Sequence, residues 1–485
     1  MSESLKKKFV SGTFWTTGQQ VIFTIVGIIQ LAVTSRLLTP VDFGTYAIAL
    51  FFSSLGHVAF SMGFSAALIQ KKEDIKPYLN TTWTASMIVS SITSLIIAVL
   101  IPVICKYYFH ETSAILPSMV IMLSCIFQAS SNPGLNLYMK EIQLKKIFFW
   151  NVSSKIISFF LVILFVCVFE SYWGLIIAIL SESIVKFISS FIIHPYRPSF
   201  YFSRKQFIEL YSFSGWIQIK NITAWFASNL DTAIVGNALG SGKLGFYNRA
   251  QTVSAYPRML ISSVVDSVAY PIYATVSSNP QRIQNVFNHI QDAILLVVSL
   301  IALVFILCSE EIILFILGSQ WTSMVMPFQI LAIAYLLQTL FLSFIPVLRA
   351  FGYTKQEFLI YVLTIAILAI LLYPLVNNWD LIGAGIAVSV CVSIIFPLMI
   401  YYVRKKTGIS MKHYVINMLM SIISVAVVSY ITRNIVVFLS LCHFQFLWIV
   451  EIVIACICYV LLLLFWWLVT KKGPGYLFIM LKNKL

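Results

Sequence analysis

The feature that most constrains this chain is a series of apolar stretches that recurs from one end to the other, each about 18 to 25 residues long and able to cross a bilayer. The sequence has 485 residues, of which 60% are hydrophobic and only 10% are charged. This composition excludes an ordinary soluble domain. The sequence therefore predicts an all-α polytopic membrane protein.

The net charge of +15 is distributed unevenly over the connections between these stretches. If the N-terminus lies in the cytoplasm and successive helices alternate in direction, almost all lysines and arginines fall on the cytoplasmic side. The opposite side receives only Arg36, Lys106, Lys243, Arg249 and Arg433. This positive-inside asymmetry places both termini in the cytoplasm. It explains the basic surplus without a nucleic-acid partner, and the same residues suit contact with anionic membrane lipids.

The eight cysteines lie mostly within apolar stretches, where small buried side chains are expected. Cys456 and Cys458 are two residues apart on a predicted helix and point in nearly opposite directions, so they cannot share a metal ion. We therefore predict no metal site. At the N-terminus, Lys6 to Lys8 precede a long apolar run that no clear cleavage site follows, which predicts an uncleaved first helix.

Prolines, glycines and charged connections divide the chain into about fourteen predicted helices. The longest hydrophilic connection contains Pro195, Pro198, Arg204 and Lys205, and it is the strongest candidate for a linker. The predicted divisions are a first six-helix lobe at 1–193, a cytoplasmic linker at 194–212, a second six-helix lobe at 213–403, and helices 13 and 14 with a basic tail at 404–485.

Two local stretches carry specific predictions. The segment L-L-T-P-V-D-F-G-T-Y (37–46) is expected to form the turn between helices 1 and 2, with Pro40 and Gly44 as helix breakers. Helix 2 is then expected to run without interruption over residues 45–69. Residues 135–147 suit an amphipathic segment at the membrane interface.

An internal repeat supports the division into two halves. When the chain is shifted by about 200 residues, T-P-V-D-F-G-T-Y falls on G-S-G-K-L-G-F-Y. Gly44 then matches Gly245, and Tyr46 matches Tyr247. Because each half contains an even number of helices, the two halves have the same orientation in the membrane. Duplicated halves with a site between them are common in transporters.

Residues 216–273 stand out because two membrane-length helices there carry ionisable side chains. These are Lys220, Asp231, Arg249, Arg258 and Asp266. Ionisable groups at membrane depth are costly, so they usually face a bundle interior or a water-filled cavity and mark a pathway. On the first of the two helices, Lys220 and Asp231 fall on one line, with Asn221 just beside it. The sequence therefore predicts a polar, charged stripe on helix 7.

Three motifs carry a resemblance to a known family. They are S-R-L-L-T-P-V-D-F-G-T-Y-A (35–47), S-M-G-F-S-A-A-L-I-Q (61–70) and N-L-D-T-A-I-V-G-N-A-L-G-S-G-K-L-G-F-Y-N-R-A (229–250). The chain resembles Wzx-type polysaccharide flippases, in particular the branch that exports colanic acid and teichuronic acid repeat units. Their superfamily also contains multidrug and toxin extruders and the lipid II flippase. The resemblance covers essentially the whole chain.

The resemblance implies a fourteen-helix protein with two lobes in a V-shaped, pseudo-two-fold arrangement and two further C-terminal helices. It implies alternating access that moves undecaprenyl-diphosphate-linked oligosaccharides from the cytoplasmic to the periplasmic leaflet. The location it implies is the bacterial cytoplasmic (inner) membrane. The expected partners are the lipid-linked substrate and membrane lipids, with polysaccharide polymerase and chain-length proteins as further candidates. No cofactor is expected, and coupling to Na⁺ or H⁺ stays open.

The implied substrate and the charged and polar residues of the chain together give candidate site residues, since lysine and arginine can screen a diphosphate at membrane depth. The predicted substrate path for diphosphate and sugar contains Lys220, Arg258, Arg249, Lys155 and Asn221. Lys220 and Arg258 match the family in kind rather than position by position, and a structural ion pair is the alternative for them. Lys155 could equally extend toward the headgroups.

A second set of residues is assigned to gating or ion coupling: Asp231, Arg36 and Asp266. Asp231 and Arg36 match family motifs, and a salt bridge between the lobes is the alternative to an ion site. Asp266 lies two turns after Arg258 and is expected to balance its charge. Lys186 is expected to be neutralised by Glu182 at i−4. His57 is interpreted as a core histidine.

The sequence argues against two other classes of function. A cation-coupled multidrug antiporter of the same superfamily would need unpaired carboxylates, and the first half offers mainly Glu182. A polymerase or glycosyltransferase would need a large extramembranous loop with acid, base or metal ligands. The sequence has no such loop, so no catalytic residue and no enzymatic activity is predicted.

Overall fold

A computed structural model describes the backbone of residues 3–277, 279–439 and 447–470. Within these residues the chain forms sixteen α-helices and two short 3₁₀ turns, and it contains no β-strand. The helices are α1 (Glu3–Leu37), α2 (Pro40–Phe60), α3 (Phe64–Gln70), α4 (Lys76–Tyr107), α5 (Ile115–Ala129), α6 (Leu135–Lys140), α7 (Leu144–Phe169), α8 (Tyr172–Ile193), α9 (Arg204–Val276), α10 (Pro280–Leu307), α11 (Ser309–Ile316), α12 (Val325–Leu340), α13 (Phe344–Ala350), α14 (Thr354–Thr407), α15 (Lys412–Leu439) and α16 (Leu447–Thr470).

Among the described residues, eleven helical segments are long and apolar enough to cross a membrane. This confirms the predicted all-α polytopic membrane protein. Helix α14 counts as one of the eleven, although a bend at Trp379 and Asp380 divides it into two helical parts. They do not include α9, whose ionisable residues lower its hydropathy. The count of about fourteen helices stays a prediction.

The start of α2 corrects the predicted turn at 37–46. Thr39 caps the helix: its side chain accepts from the backbone N–H of Asp42, and the Asp42 carboxylate accepts from the backbone N–H of Thr39 at 3.0 Å. Pro40 occupies the first helical position, where its missing N–H costs nothing. Pro40 therefore begins the helix instead of breaking it, and Gly44 lies inside the helix.

Predicted helix 2 is interrupted. The helical segment α2 ends at Phe60, and α3 begins at Phe64. Between them, Gly63 has φ 66°, a left-handed conformation that favours glycine. A Cβ at this position would also lie 3.1 Å from Cβ of Ser214. The prediction of one continuous helix over 45–69 was wrong because the pattern of apolar residues does not report this backbone turn.

The order of long and short helices occurs twice. Short helix α6 precedes long helix α7, and short helix α13 precedes α14, at positions about 200 residues apart. Long helix α7 is followed by Glu170 with φ 46°, and the bend in α14 contains Asp380 with φ 56°. Both halves thus reverse direction through a residue in a left-handed conformation.

The chain divides into two compact units. The first unit contains residues 1–249 and 361–384, and the second contains residues 250–360 and 385–485. Long helices α9 and α14 each contribute to both. The predicted six-helix lobes are defined by the sequence repeat, and they stay a prediction. The compact units are defined by packing, and the boundary between them crosses α9 after Arg249.

The predicted linker at 194–212 is partly helical, since α9 begins at Arg204. The remaining residues are tied to α4 by hydrogen bonds. Tyr196 donates its hydroxyl to Oδ1 of Asn80 at 2.7 Å, and the backbone N–H of Ser203 donates to Oγ1 of Thr81 at 3.3 Å. This connection is therefore fixed along the first unit.

In the second unit, α15 and α16 pack against α10. Leu303 of α10, Val428 of α15 and Tyr459 of α16 are buried in one apolar cluster. Predicted helices 13 and 14 therefore form part of the core of the second unit. Their basic tail from Lys471 lies outside the described residues.

Candidate functional site

The repeated glycine motifs bring α2 and α9 into backbone contact. Long helix α9 bends at Gly240, where φ is 77°. A Cβ on Gly44 would lie 1.8 Å from the carbonyl oxygen of Ser241, and a Cβ on Gly245 would lie 1.8 Å from that of Pro40. Gly44 thus packs on Ser241 in the motif around Gly245, and Gly245 packs on Pro40 in the motif around Gly44. Any side chain at either position would separate the two helices.

Polar contacts hold this bend within the first unit. The Ser241 hydroxyl donates to Oε2 of Glu111 at 2.5 Å, and Nδ2 of Asn237 donates to the carbonyl oxygen of Tyr108 at 2.5 Å. Lys243 forms an ion pair with Asp380 at the bend of α14. The bend of α9 is therefore fixed to the α4–α5 connection and to α14.

Asp231 is a buried carboxylate beside the bend. Its side chain is 5% exposed, and its Oδ2 accepts a hydrogen bond of 2.7 Å from the Tyr247 hydroxyl, which is fully buried. The two residues lie on opposite sides of Gly240. The hydrogen bond therefore joins the two segments of α9. The sequence placed Asp231 near a gate but did not identify Tyr247 as its partner.

Arg249 is buried against α2. Its guanidinium carbon lies 4.1 Å from the centre of the Phe43 ring, a cation–π contact, and it donates to Oδ1 of Asn248 at 3.1 Å. Its side chain therefore packs within the first unit. Its predicted contact with substrate stays a prediction.

Three charged residues of α7 and α8 form a triad in the first unit. Glu182 lies 2.8 Å from Nζ of Lys186 and 3.5 Å from Nζ of Lys155, and it accepts a hydrogen bond from Ser158 at 3.1 Å. All three charged side chains are half-buried. The pairing of Glu182 with Lys186 was predicted from their i,i+4 spacing and is confirmed. The second lysine leaves the triad with a net positive charge.

A polar cavity of about 560 Å³ lies in the first unit. Its walls come from α2 to α7 and from α9, and they combine amides, hydroxyls and aromatic rings. The lining side chains that can bond or stack include His57, Ser61, Ser65, Thr82, Trp83, Ser86, Gln128, Ser131, Asn132, Asn136, Trp150 and Asn221. The predicted path residue Asn221 is thus at a cavity wall.

Hydrogen bonds connect the cavity wall to α8, which carries two members of the triad. Trp150, a lining residue, donates from Nε1 to the carbonyl oxygen of Lys186 at 3.2 Å. Gln128, another lining residue, donates from Nε2 to Oγ of Ser183 at 3.4 Å. Two residues of the cavity wall are therefore hydrogen-bonded to the α8 segment that carries Glu182 and Lys186.

His57 corrects an earlier expectation. It is exposed and lines the cavity, with its ring 5.1 Å from the Phe60 ring, whereas the sequence suggested a core histidine. The reason is the end of α2 at Phe60. The last turn of the helix faces the cavity because no further turn of α2 covers it.

The other predicted site residues are distributed over both units. Lys220 is half-buried in the first unit, next to Asn221 on α9. Arg258 belongs to the second unit, where its guanidinium carbon lies 6.0 Å from the centre of the Tyr335 ring. Arg36 is exposed in the last turn of α1. The side chain of Asp266 lies outside the described residues.

Sequence reasoning missed two polar pairs in the second unit. Asp292 of α10 pairs with His413 of α15, and Arg349 binds Glu357 through hydrogen bonds of 3.0 and 2.6 Å. The signal in the sequence for the first pair was Asp292, an acidic residue at the start of a membrane-length apolar stretch.

The fold and this site define a class of protein, a polytopic helical membrane protein with a polar, net positive site. The chain belongs to the polysaccharide biosynthesis protein family, whose profile matches residues 33–326. This confirms the family that the sequence motifs indicated. The chain is 23% identical over 341 residues to the teichuronic acid biosynthesis protein TuaB of Bacillus subtilis, covering 70% of each chain.

Two solved structures share the fold. The lipid II flippase MurJ in an inward closed conformation has a TM-score of 0.74 at 15% identity, covering 96% of this chain and 99% of MurJ. An inward-facing multidrug resistance transporter of the MATE family has a TM-score of 0.64 at 11% identity, covering 82% of this chain and 99% of that one. At such identities the likeness concerns the fold alone, and it confirms the predicted fold class.

Proposed function

We propose that the protein moves lipid-linked oligosaccharide repeat units from the cytoplasmic to the periplasmic leaflet by alternating access, for the synthesis of a cell-surface polysaccharide. The observation that carries this proposal is the polar cavity of about 560 Å³ beside the net positive triad of Lys155, Glu182 and Lys186. The relative TuaB is named for teichuronic acid biosynthesis, which agrees with a glycan substrate.

The triad suits a diphosphate because its positive charge is incompletely balanced. Hydrogen bonds between lysine and phosphate oxygens are charge-assisted and therefore stronger than neutral ones. Glu182 holds both lysines in place and lowers the net charge of the site. An anion would therefore be attracted without being bound too tightly for release. Lys220, next to the cavity residue Asn221, would add charge along the path.

The cavity wall suits the sugar part of the substrate. Trp83 and Trp150 offer aromatic surfaces, while Gln128, Asn132 and Asn221 offer amide groups for sugar hydroxyls. Small-molecule sites usually measure about 300–1,000 Å³. The cavity therefore has room for a headgroup with a few sugar rings, and the polyprenyl chain would stay in the lipid.

The multidrug antiporter is less well supported. A cationic substrate would be repelled by two lysines that share one carboxylate. The other buried acid of the first unit, Asp231, already accepts hydrogen bonds from Tyr247 and from the Thr232 backbone. The fold is shared by both classes of transporter and does not separate them.

We place the protein in the bacterial cytoplasmic membrane with both termini on the cytoplasmic side, since that arrangement gathers the basic residues there. The lipid-linked oligosaccharide and the surrounding lipids are then its direct partners. Polysaccharide polymerase and chain-length proteins would act on the product after it has crossed the membrane.

The test is flipping in reconstituted vesicles. A fluorescent undecaprenyl-diphosphate oligosaccharide is placed in one leaflet, and its accessibility to an external lectin is followed over time. Each lost charge-assisted hydrogen bond removes about 1.5–3 kcal/mol, so the double variant Lys155→Met, Lys186→Met should slow flipping by roughly 10-fold or more. The exposed residue Lys205 provides the control Lys205→Met, which should flip at the wild-type rate.

Two results would contradict the proposal. The first is wild-type flipping by the double variant at equal protein density. The second is a wild-type protein that flips no lipid-linked oligosaccharide but exports an organic cation when an ion gradient is applied. That result would assign the chain to the antiporters.

A further inference from the structure

The wall of the polar cavity in the first unit carries no permanent charge. None of the described residues that line this cavity of about 560 Å³ is an aspartate, a glutamate, a lysine or an arginine, and His57 is the only ionisable one. The charged triad of Lys155, Glu182 and Lys186 does not line it. The cavity and the triad therefore offer different chemistry to one substrate.

A carboxylate inside this cavity would lack a counter-charge. Water stabilises a carboxylate strongly, so its transfer into a protein interior is costly unless a cation takes the place of that water. Lys220 adjoins the lining residue Asn221 in the sequence, but it does not itself line the cavity. The amides and hydroxyls of the wall therefore suit neutral hydroxyl groups and not a carboxylate.

The two tryptophans of the wall use their N–H groups within the protein. Nε1 of Trp83 donates to the carbonyl oxygen of Ser130 at 2.9 Å, and Nε1 of Trp150 donates to that of Lys186 at 3.2 Å. Each indole therefore offers the cavity only its ring. The face of an aromatic ring is negative, so it attracts the weakly positive C–H groups of a sugar ring and repels a carboxylate.

Trp150 keeps more of its ring accessible than Trp83 does. Trp83 is 9% exposed and packs on the Phe200 ring, with the ring centroids 5.0 Å apart. Trp150 is half-buried. Its hydrogen bond to α8 also fixes its orientation, so little conformational freedom is lost when a ligand stacks on it. Trp150 is therefore the better placed stacking surface.

Trp150 and Gln128 contact α8 within one turn of each other, next to the triad. Trp150 is bound to Lys186, a member of the triad, and Gln128 donates to Oγ of Ser183 at 3.4 Å. Ser183 and Lys186 are one turn apart on α8. A diphosphate held by the triad would therefore bring the sugar that is bonded to it near the Trp150 ring and the Gln128 amide.

We infer that the cavity takes uncharged sugars and that Trp150 is the stacking surface for the first sugar of the substrate. This inference rests on the proposed function and adds the chemical class of the sugar. A hexuronic acid carries a carboxylate where the hexose carries a hydroxymethyl group. In this cavity that carboxylate would lose its water without gaining a counter-charge. The protein therefore selects the neutral hexose over the uronic acid with the same ring.

The first experiment compares two probes that differ in this one group, undecaprenyl-diphosphate glucose and undecaprenyl-diphosphate glucuronic acid. Each is added unlabelled, as a competitor in the vesicle assay with the fluorescent lipid-linked oligosaccharide. Because lipid and diphosphate are the same in both, the ratio of their inhibition constants reports the sugar alone. The assay is run at about pH 8, where imidazole side chains are mostly uncharged. The glucose probe should compete better by roughly 10-fold or more.

The second experiment tests the stacking surface with two variants of one residue. Trp150→Leu and Trp150→Phe both lack the N–H group, but only phenylalanine keeps an aromatic face. The glucose probe should bind more weakly to the leucine variant than to the phenylalanine variant, by roughly 2- to 10-fold. Undecaprenyl diphosphate without a sugar should compete equally in the two variants.

The third experiment supplies the missing counter-charge. Ser86 is a half-buried residue of the cavity wall, and Ser86→Lys would place a flexible cation there. The glucuronic acid probe should then compete as well as the glucose probe, or better. Ser212 is exposed and does not line the cavity. The control Ser212→Lys adds the same charge and should keep the wild-type ratio.

Three outcomes would overturn the inference. They are equal competition by the two probes in the wild type, equal binding of the glucose probe by the two Trp150 variants, and a wild-type ratio in Ser86→Lys. A wild-type protein that flips nothing would instead contradict the proposed function. The sugar preference is then decided by binding, because a bound probe raises the Tm of the full-length protein in detergent. The glucose probe should raise it more than the glucuronic acid probe does, and equal rises would count against the inference.

Discussion

Gly44 of α2 lies so close to Ser241 of α9 that a Cβ on Gly44 would be 1.8 Å from the Ser241 carbonyl oxygen. Gly245 stands in the same relation to Pro40. The two repeats therefore contact each other through equivalent backbone positions, and this contact fixes the start of α2 against the bend of α9. Both glycines are needed for their small size, because neither has a left-handed backbone.

We expect Gly44→Ala and Gly245→Ala to separate the two helices. Overpacking at a rigid contact costs about 1–3 kcal/mol, and here the opposing atoms belong to the backbone and cannot rotate away. The Tm of each variant in detergent should fall. Gly242→Ala is the matched control, since a Cβ there would be 3.6 Å from a flexible methyl group of Val41. Equal Tm values for all three variants would show that the contact is looser than the structure has it.

The hydrogen bond between Tyr247 and Asp231 should matter more than the charge of Asp231. Tyr247→Phe removes a donor and leaves a buried carboxylate poorly compensated, which costs about 1–3 kcal/mol. Asp231→Asn keeps an acceptor for the Tyr247 hydroxyl and should be milder. The check is the free energy of unfolding or the Tm of both single variants and of the double variant. If Asp231→Asn were the more damaging change, the carboxylate would be required for another ligand, such as a coupling ion.

Lys220 and Arg258 lie in different compact units and were both assigned to the substrate path. The double variant Lys220→Ala, Arg258→Ala should slow flipping in vesicles by roughly 10-fold or more, since each lost charge-assisted contact removes about 1.5–3 kcal/mol. Lys205→Ala, at an exposed position, should leave the rate unchanged. Full export by the double variant at normal protein levels would remove both residues from the path.

Changing Glu182 should separate binding from release. Glu182→Gln removes the negative charge between Lys155 and Lys186 and raises the net positive charge of the triad. We expect a lower KM for the lipid-linked diphosphate and a lower maximal rate, because a tightly held anion leaves slowly. Flipping rates over a range of substrate concentrations test this split. A rise in KM would mean that the triad does not bind the anion.

The contact of α9 with Lys71 and with the start of α4 should depend on pH. Glu209 forms an ion pair with Lys71 and accepts a hydrogen bond from Tyr78 at 3.0 Å. Both contacts lower the pKa of the Glu209 carboxyl below its usual value, and the contact with Lys71 has the larger effect. A lowered pKa means that the contact stabilises the fold at neutral pH and is lost as the pH falls through the lowered pKa, in the region below about pH 4.3.

The measurement is hydrogen exchange of residues 64–78 between pH 7 and acid conditions, corrected for the intrinsic pH dependence of exchange. Wild-type protection should decrease on acidification, and Glu209→Gln should show weak protection at every pH. Because Glu209 is exposed, added salt should have a similar effect to acid. Protection that is insensitive to acid, salt and substitution would contradict this assignment.

Much of the architecture follows from the sequence alone, because it depends on properties of single helices. Apolar stretches of membrane length predict helices, and lysine and arginine counts predict topology. The i,i+4 spacing of Glu182 and Lys186 predicts their ion pair, which the structure confirms. The motif around Gly44 and its repeat around Gly245 indicate both the duplication and the family.

The tertiary structure decided which residues of different helices meet. In the structure, Lys155 pairs with Glu182, Tyr247 donates a hydrogen bond to Asp231, and His413 pairs with Asp292. His57 lines the cavity. None of these relationships could be predicted, because helical periodicity states which face a residue occupies on its own helix. The partner on that face depends on the bends and on how closely the helices approach each other, and only packing in three dimensions fixes those.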